Sequence, residues 1–103
     1  MRKVDLVAQM KEAVQFVFRD VETWQEYLKF SSQLYKTSFE ETTQLYYLNQ
    51  SFTYAATFDD WQKYYRYVRR GEKSTLVGQL GKSQPIISKH YFDVSQTYGK
   101  QLE

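Results

Sequence analysis

The stretch from Thr57 to Lys73, TFDDWQKYYRYVRRGEK, sets Trp61, Tyr64, Tyr65 and Tyr67 among Lys63, Arg66, Arg69, Arg70 and Lys73, and turns on Gly71. Aromatic rings interleaved with cations are the chemistry that holds single-stranded nucleic acid: cations track the phosphates while rings stack on unpaired bases. The alternative reading of the same residues assigns the rings to the core and the charges to solvent. The distribution of charge bears on the choice. The net charge is only +2. Up to Asp60 acids outnumber bases, whereas beyond it Lys63, Arg66, Arg69, Arg70, Lys73, Lys82, Lys89 and Lys100 face only Glu72, Asp93 and Glu103. An anion-binding surface is therefore expected in the second half.

Catalytic constellations are not evident. Cysteine is absent, which removes disulfides, thiolate metal ligands and cysteine nucleophiles. The one histidine, His90, lies beside Lys89 in a strand-like run and reads as a surface or hairpin residue, since a metal site needs several convergent ligands. Ser95 has no His and acid partner legible in the sequence. The four glycines are scattered and match no phosphate-cradling loop. Asp59 and Asp60 fall in the first turn of an expected helix, where the helix dipole favours anions, and that explains the pair without acid–base chemistry. The expectation is a binding protein rather than an enzyme, with no cofactor and no metal.

The elements that must position these residues follow from period and capping. At 103 residues the chain is one domain with a modest core, and 42% apolar content with 25% charge argues for a globular chain. Val7, Met10, Val14, Val17, Val21, Trp24 and Leu28 recur three and four apart, one helical stripe belonging to one long helix or to two divided near Asp20. The same spacing fits a short coiled-coil seam, for which Trp24 is a poor residue. Ser38 with Glu41 forms a capping box, so a helix runs from Phe39 to about Asn49 and buries Phe39, Leu45 and Leu48. FTYAATF reads as a brief strand. Thr57 with Asp60 caps a further helix from Phe58, on which Phe58, Trp61, Tyr65 and Val68 share an inner face while Lys63, Arg66, Tyr67 and Arg70 share an outer one. STLVGQL and PIISKHYFDV predict a β-hairpin with Pro85 opening its second strand. The fold class expected is α+β, with about three N-terminal helices followed by a small antiparallel sheet or hairpin. Charges interrupt every apolar run near the N-terminus and no span has membrane length, so the chain is expected to be soluble and cytoplasmic. Leu102-Glu103 reads as a cloning remnant and is set aside.

TFDDWQKYYRYVRRGEKS, followed some twenty residues later by YFDVSQTYG, resembles the N-terminal domain of the ArdC antirestriction family, a single-stranded-DNA-binding domain of plasmid and conjugative-transposon proteins. The shared pattern is carried by Thr57, Phe58, Trp61, Val68, Gly71, Glu72, Lys73, Phe92, Asp93, Val94, Gln96 and Thr97. Trp24, Leu28, Ser38, Phe39, Thr53 and Ala56 match upstream. Many members carry Gly where this chain has Tyr65 and Ser74. The resemblance implies a DNA-binding domain over residues 21–101, a helical extension over 1–20, and a second domain elsewhere in a longer protein. The resulting expectation is that Lys63, Arg66, Arg69, Arg70 and Lys73 hold phosphates of single-stranded DNA while Tyr67, with Tyr64, stacks a base. Lys89 and Gln96 line the same groove, Tyr91 either adds a second platform or packs, and Trp61 positions the helix. The competing function is a protein–protein adaptor of the conjugation or antirestriction machinery, docking through the Val7 to Leu28 stripe or a Tyr-rich patch.

Overall fold

The computed structural model describes residues 3–34, 37–79 and 87–101. The chain is α+β: three helices, α1 (Lys3–Val17), α2 (Val21–Gln33) and α3 (Phe39–Leu48), precede the strands. A fourth short helix, α4 (Phe58–Lys63), lies between β1 (Ala55–Thr57) and β2 (Arg66–Val68), and β3 (Thr75–Gln79), β4 (Ile87–Asp93) and β5 (Thr97–Gly99) complete the fold. β1, β4 and β3 form one antiparallel sheet in the order β1-β4-β3, and β2 pairs antiparallel with β5 in a separate ribbon. The hairpin expected from STLVGQL and PIISKHYFDV is thus β3–β4; Lys82, and Pro85 as the expected opening of the second strand, lie outside the described residues.

The N-terminal stripe divides into two helices. Asp20 is extended, with φ −161° and ψ 169°, and its carboxylate accepts from Thr23 N at 2.7 Å. That bond holds its carboxyl below the ordinary value and starts α2. The division rotates α2 relative to the stripe. Tyr27 and Phe30 enter the core with Thr23, whereas Val21 and Leu28 are left exposed.

α3 is the central helix, and it buries a polar run. Ser38 and Glu41 make the expected capping box. Leu45 is fully buried as expected, but Phe39 and Leu48 are exposed, and Glu41, Thr42, Thr43 and Gln44 are buried instead. The reason is hydrogen-bond satisfaction. Thr42 and Thr43 donate to the carbonyls of Ser38 and Glu40 one turn back, and among the described residues no buried side-chain polar atom lacks a partner. Gln44 spends its amide on the outer edge of β3: Nε2 donates to Gly78 O at 2.6 Å and Oε1 accepts from Gly78 N at 2.8 Å. Gln9 of α1 donates to Leu76 O, the next carbonyl on that edge, and to Gln44 Oε1, each at 2.9 Å. Two helices therefore cover with side-chain amides a strand edge that would otherwise be open to another chain.

The helix expected from Phe58, with Val68 on its inner face, ends at Lys63. Thr57 caps it, and Trp61 is buried, its indole N–H donating to Phe92 O at 2.9 Å. Tyr65 then takes φ 60°, a left-handed conformation that the helix cannot continue through. Tyr65 is 64% exposed rather than core, and Phe58 is exposed as well. No helical face joins Lys63, Arg66, Tyr67 and Arg70, because Arg66 and Tyr67 belong to β2. Among the described residues no helix is long and apolar enough to cross a membrane.

Candidate nucleic-acid interface

The β2–β5 ribbon assembles around close backbone approach. Gly99 pairs with Arg66 at φ 129°, and a Cβ there would lie 2.5 Å from Tyr65 O. Lys100 N donates to Tyr65 O and Arg69 N to Gln96 O, extending the ladder at both ends. In this register Tyr67 stands opposite Tyr98. Their ring centroids are 5.8 Å apart at 45°, and the rings are 42% and 56% exposed. Cross-strand neighbours share a face of a ribbon, so the two rings form one exposed aromatic platform. Tyr65 precedes it with the Lys100 ammonium 5.7 Å from its ring centroid, and Tyr64, also exposed, packs edge-on against Trp61.

The candidate cations separate into structural and available groups. Arg66 is consumed by the ribbon: Nε donates to Thr97 Oγ1 at 2.9 Å, Nη2 to Thr97 O at 3.1 Å and Nη1 to Lys100 O at 2.6 Å. Arg69 donates through Nη1 to Ser95 O at 2.7 Å, leaving the guanidinium exposed but anchored. Lys89 lies in β4 with its ammonium 3.3 Å from the buried Glu41 carboxylate. Arg70 and Lys73 are exposed, and among the described residues their side chains make no hydrogen bond or ion pair. Lys63 is exposed and 3.4 Å from Asp60, a pair that solvent screens heavily.

Gln96 is a locking residue. Its Oε1 accepts from Asp93 N, and its Nε2 donates to Lys73 O and Glu72 Oε1, tying the Gly71 turn to β5. Asp93 Oδ1 accepts from Thr53 N and Tyr54 N while Oδ2 accepts from Ser95 N and Oγ. Thr97 is buried and donates to Val94 O. Tyr91 packs rather than forming a platform: it is 4% exposed and its hydroxyl donates to Glu41 Oε2 at 2.7 Å, with burial first and that carboxylate second raising its pKa. His90 Nδ1 sits 2.8 Å from Ser74 Oγ on the surface.

The structure thus brings together Tyr67, Arg69, Arg70 and Lys73 on the ribbon and its following turn, and sets Lys89 apart on the three-stranded sheet. Sequence reasoning did not single out Tyr98 or Lys100 as site candidates, and it placed Tyr65 on an inner face, whereas the ring is exposed. The signal for Tyr98 was Thr97-Tyr98-Gly99, a β-branched and aromatic pair ahead of a glycine, which reads as a short strand once it is given a partner. No protein-family model, curated protein or solved structure matches the chain.

Proposed function

We propose that this chain is a DNA-binding module that holds single-stranded DNA on the β2–β5 ribbon. The observation that carries the reading is the exposed Tyr67–Tyr98 pair, bordered by cations that the fold does not consume. Bases stack on Tyr67 and Tyr98, and on Tyr65. Arg70, Lys73, Lys100 and Lys63 contact phosphates, with Arg69 presenting an already oriented guanidinium. Large exposed rings cost apolar hydration in the free protein and gain stacking with unpaired bases. Duplex DNA offers no open base faces to such a platform, so the preference is for single strands. The likeness of the ribbon sequences to the ArdC N-terminal domain supports the same reading. It adds a setting: a cytoplasmic, non-catalytic module of a longer protein carried by a plasmid or conjugative transposon.

The test is titration of labelled single-stranded and duplex oligonucleotides at two salt concentrations. Tyr67→Ala and Tyr98→Ala each weaken single-strand binding by about 1–3 kcal/mol with the salt slope unchanged. Arg70→Ala and Lys73→Ala each flatten the slope of log K against log salt by about 0.7. Absence of binding by either oligonucleotide at low salt refutes the proposal.

A further inference from the structure

α2 carries a second apolar face that the fold does not cover. Val21 and Leu28, 65% and 46% exposed, flank at helical spacing the half-buried Trp24, which packs inward on Tyr27. Phe18 stacks on Trp24 with centroids 4.8 Å apart, and Phe39 stands 6.3 Å from Phe18. Both phenylalanines are about half exposed. Beside this ridge runs an open groove of about 460 Å³ whose walls include Met10 and Val14 of α1 and Glu40 of α3. Met10, Val14 and Phe18 follow one another at four-residue spacing, and Glu40 adjoins Phe39, so the groove and the ridge form one continuous surface. A contiguous apolar patch of this kind marks an interaction surface, unlike scattered single residues.

We propose that the occupant of this surface is a second copy of the chain, related by a two-fold axis that places the α2 ridge of each copy in the α1–α3 groove of the other. The charges at the rim select this occupant. Lys11 stands in the groove wall, and Glu22 flanks Val21 on the ridge. Among the described residues the side chain of neither makes an ion pair or hydrogen bond. An isologous contact brings Glu22 of each copy to Lys11 of the other and forms the pair twice. Nucleic acid is a poor occupant, because the face has no surplus of cations: Arg19 and Lys29 pair with Asp20 and Glu26, and Glu22 and Glu40 add further acids. The surface lies on the helices rather than on the Tyr67–Tyr98 ribbon, so self-association stands or falls independently of DNA binding.

Sedimentation velocity of the chain without DNA, from micromolar to about millimolar concentration, is the test. The expected result is a reversible monomer–dimer equilibrium. Val21→Glu and Leu28→Glu, both at exposed positions, abolish the dimer while the circular dichroism spectrum and Tm remain those of the parent. Lys11→Glu raises the dimer Kd by about tenfold or more through like-charge contact with Glu22. Combining Lys11→Glu with Glu22→Lys restores it, because both symmetric pairs are rebuilt with reversed sign. A chain that sediments as a monomer throughout overturns the proposal. So does a dimer that Val21→Glu leaves intact, or a charge swap that fails to recover association.

Discussion

Gln44 is the single side chain on which the join between helices and sheet depends most. It is fully buried and fastens both polar groups of Gly78, which is itself buried on the outer edge of β3. In Gln44→Leu the side-chain volume is nearly kept, so a cavity is not the main cost. The Gly78 N–H and C=O instead lose their partners in a place water does not reach. Each buried backbone group left unsatisfied costs about 1–3 kcal/mol, which gives about 2–6 kcal/mol for the two. Gln9 also loses one acceptor but keeps Leu76 O at 2.9 Å, so its share is small. Taking about 3 kcal/mol, near the lower half of that range, the melting temperature of a domain this size falls by roughly 12–24 °C. Urea denaturation followed by circular dichroism measures the loss as a lower midpoint at unchanged slope. The variant also uncovers the β3 edge, so it aggregates at concentrations where the parent does not. A destabilisation below about 0.5 kcal/mol, within the range of neutral surface substitutions, would mean that Gln44 does not hold the edge.

Two further outcomes follow from the same structure. Burial pushes the Glu41 carboxyl upward, but the Ser38 N–H, the Tyr91 hydroxyl and the Lys89 ammonium outweigh it and leave the pKa below the ordinary 4.5. The folded form therefore holds this proton less tightly than the unfolded chain, so the stabilisation is complete above about pH 4.5 and fades as pH falls through the lower folded value. Glu41→Gln should accordingly lower stability at neutral pH and flatten the acid limb of the stability curve, read from urea midpoints between pH 3 and 7; an unaltered acid limb would refute the assignment. Gly99→Ala places a Cβ 2.5 Å from Tyr65 O at a φ of 129° and should cost about 1–3 kcal/mol, with single-strand affinity falling alongside because the platform loses its register.

Legibility in the sequence followed the range of the interactions. The Ser38–Glu41 box and the Thr57 cap are local, and both were readable. The β3–β4 hairpin and the burial of Trp61 were readable too, the first from two strand-like runs parted by a short polar stretch and the second from helical spacing. What the sequence concealed depended on partners far along the chain. Helical period continues formally from Lys63 to Arg70, yet the backbone leaves the helix at Tyr64 because Arg66, Tyr67 and Val68 find β5 some thirty residues on. Propensity is a weak prior beside a ladder that also satisfies an arginine fork. α3 misled for a different reason. Its ETTQ run has no apolar period, and its burial rests on hydrogen bonds to β3, β4 and its own preceding turn.

Trp61, Asp93 and Gln96, three of the residues that carry the sequence resemblance, are structural parts of the fold. Trp61 fastens α4 to the Phe92 carbonyl, Asp93 gathers the amides that lead into β1, and Gln96 ties Lys73 and Glu72 to β5. Gly71, at φ 88°, makes the turn between them. Such residues are restricted because each satisfies specific backbone groups, and a substitution at any of them leaves those groups without partners. The exposed side chains of Tyr67, Tyr98, Arg70 and Lys100 have few partners of their own, so the fold constrains them less. A sequence pattern built from the first group therefore identifies the scaffold of the ribbon, and the ligand must be read from the second. Tyr98, which stands opposite Tyr67 in the ribbon, belongs to this second group, and the proposed binding rests on both rings.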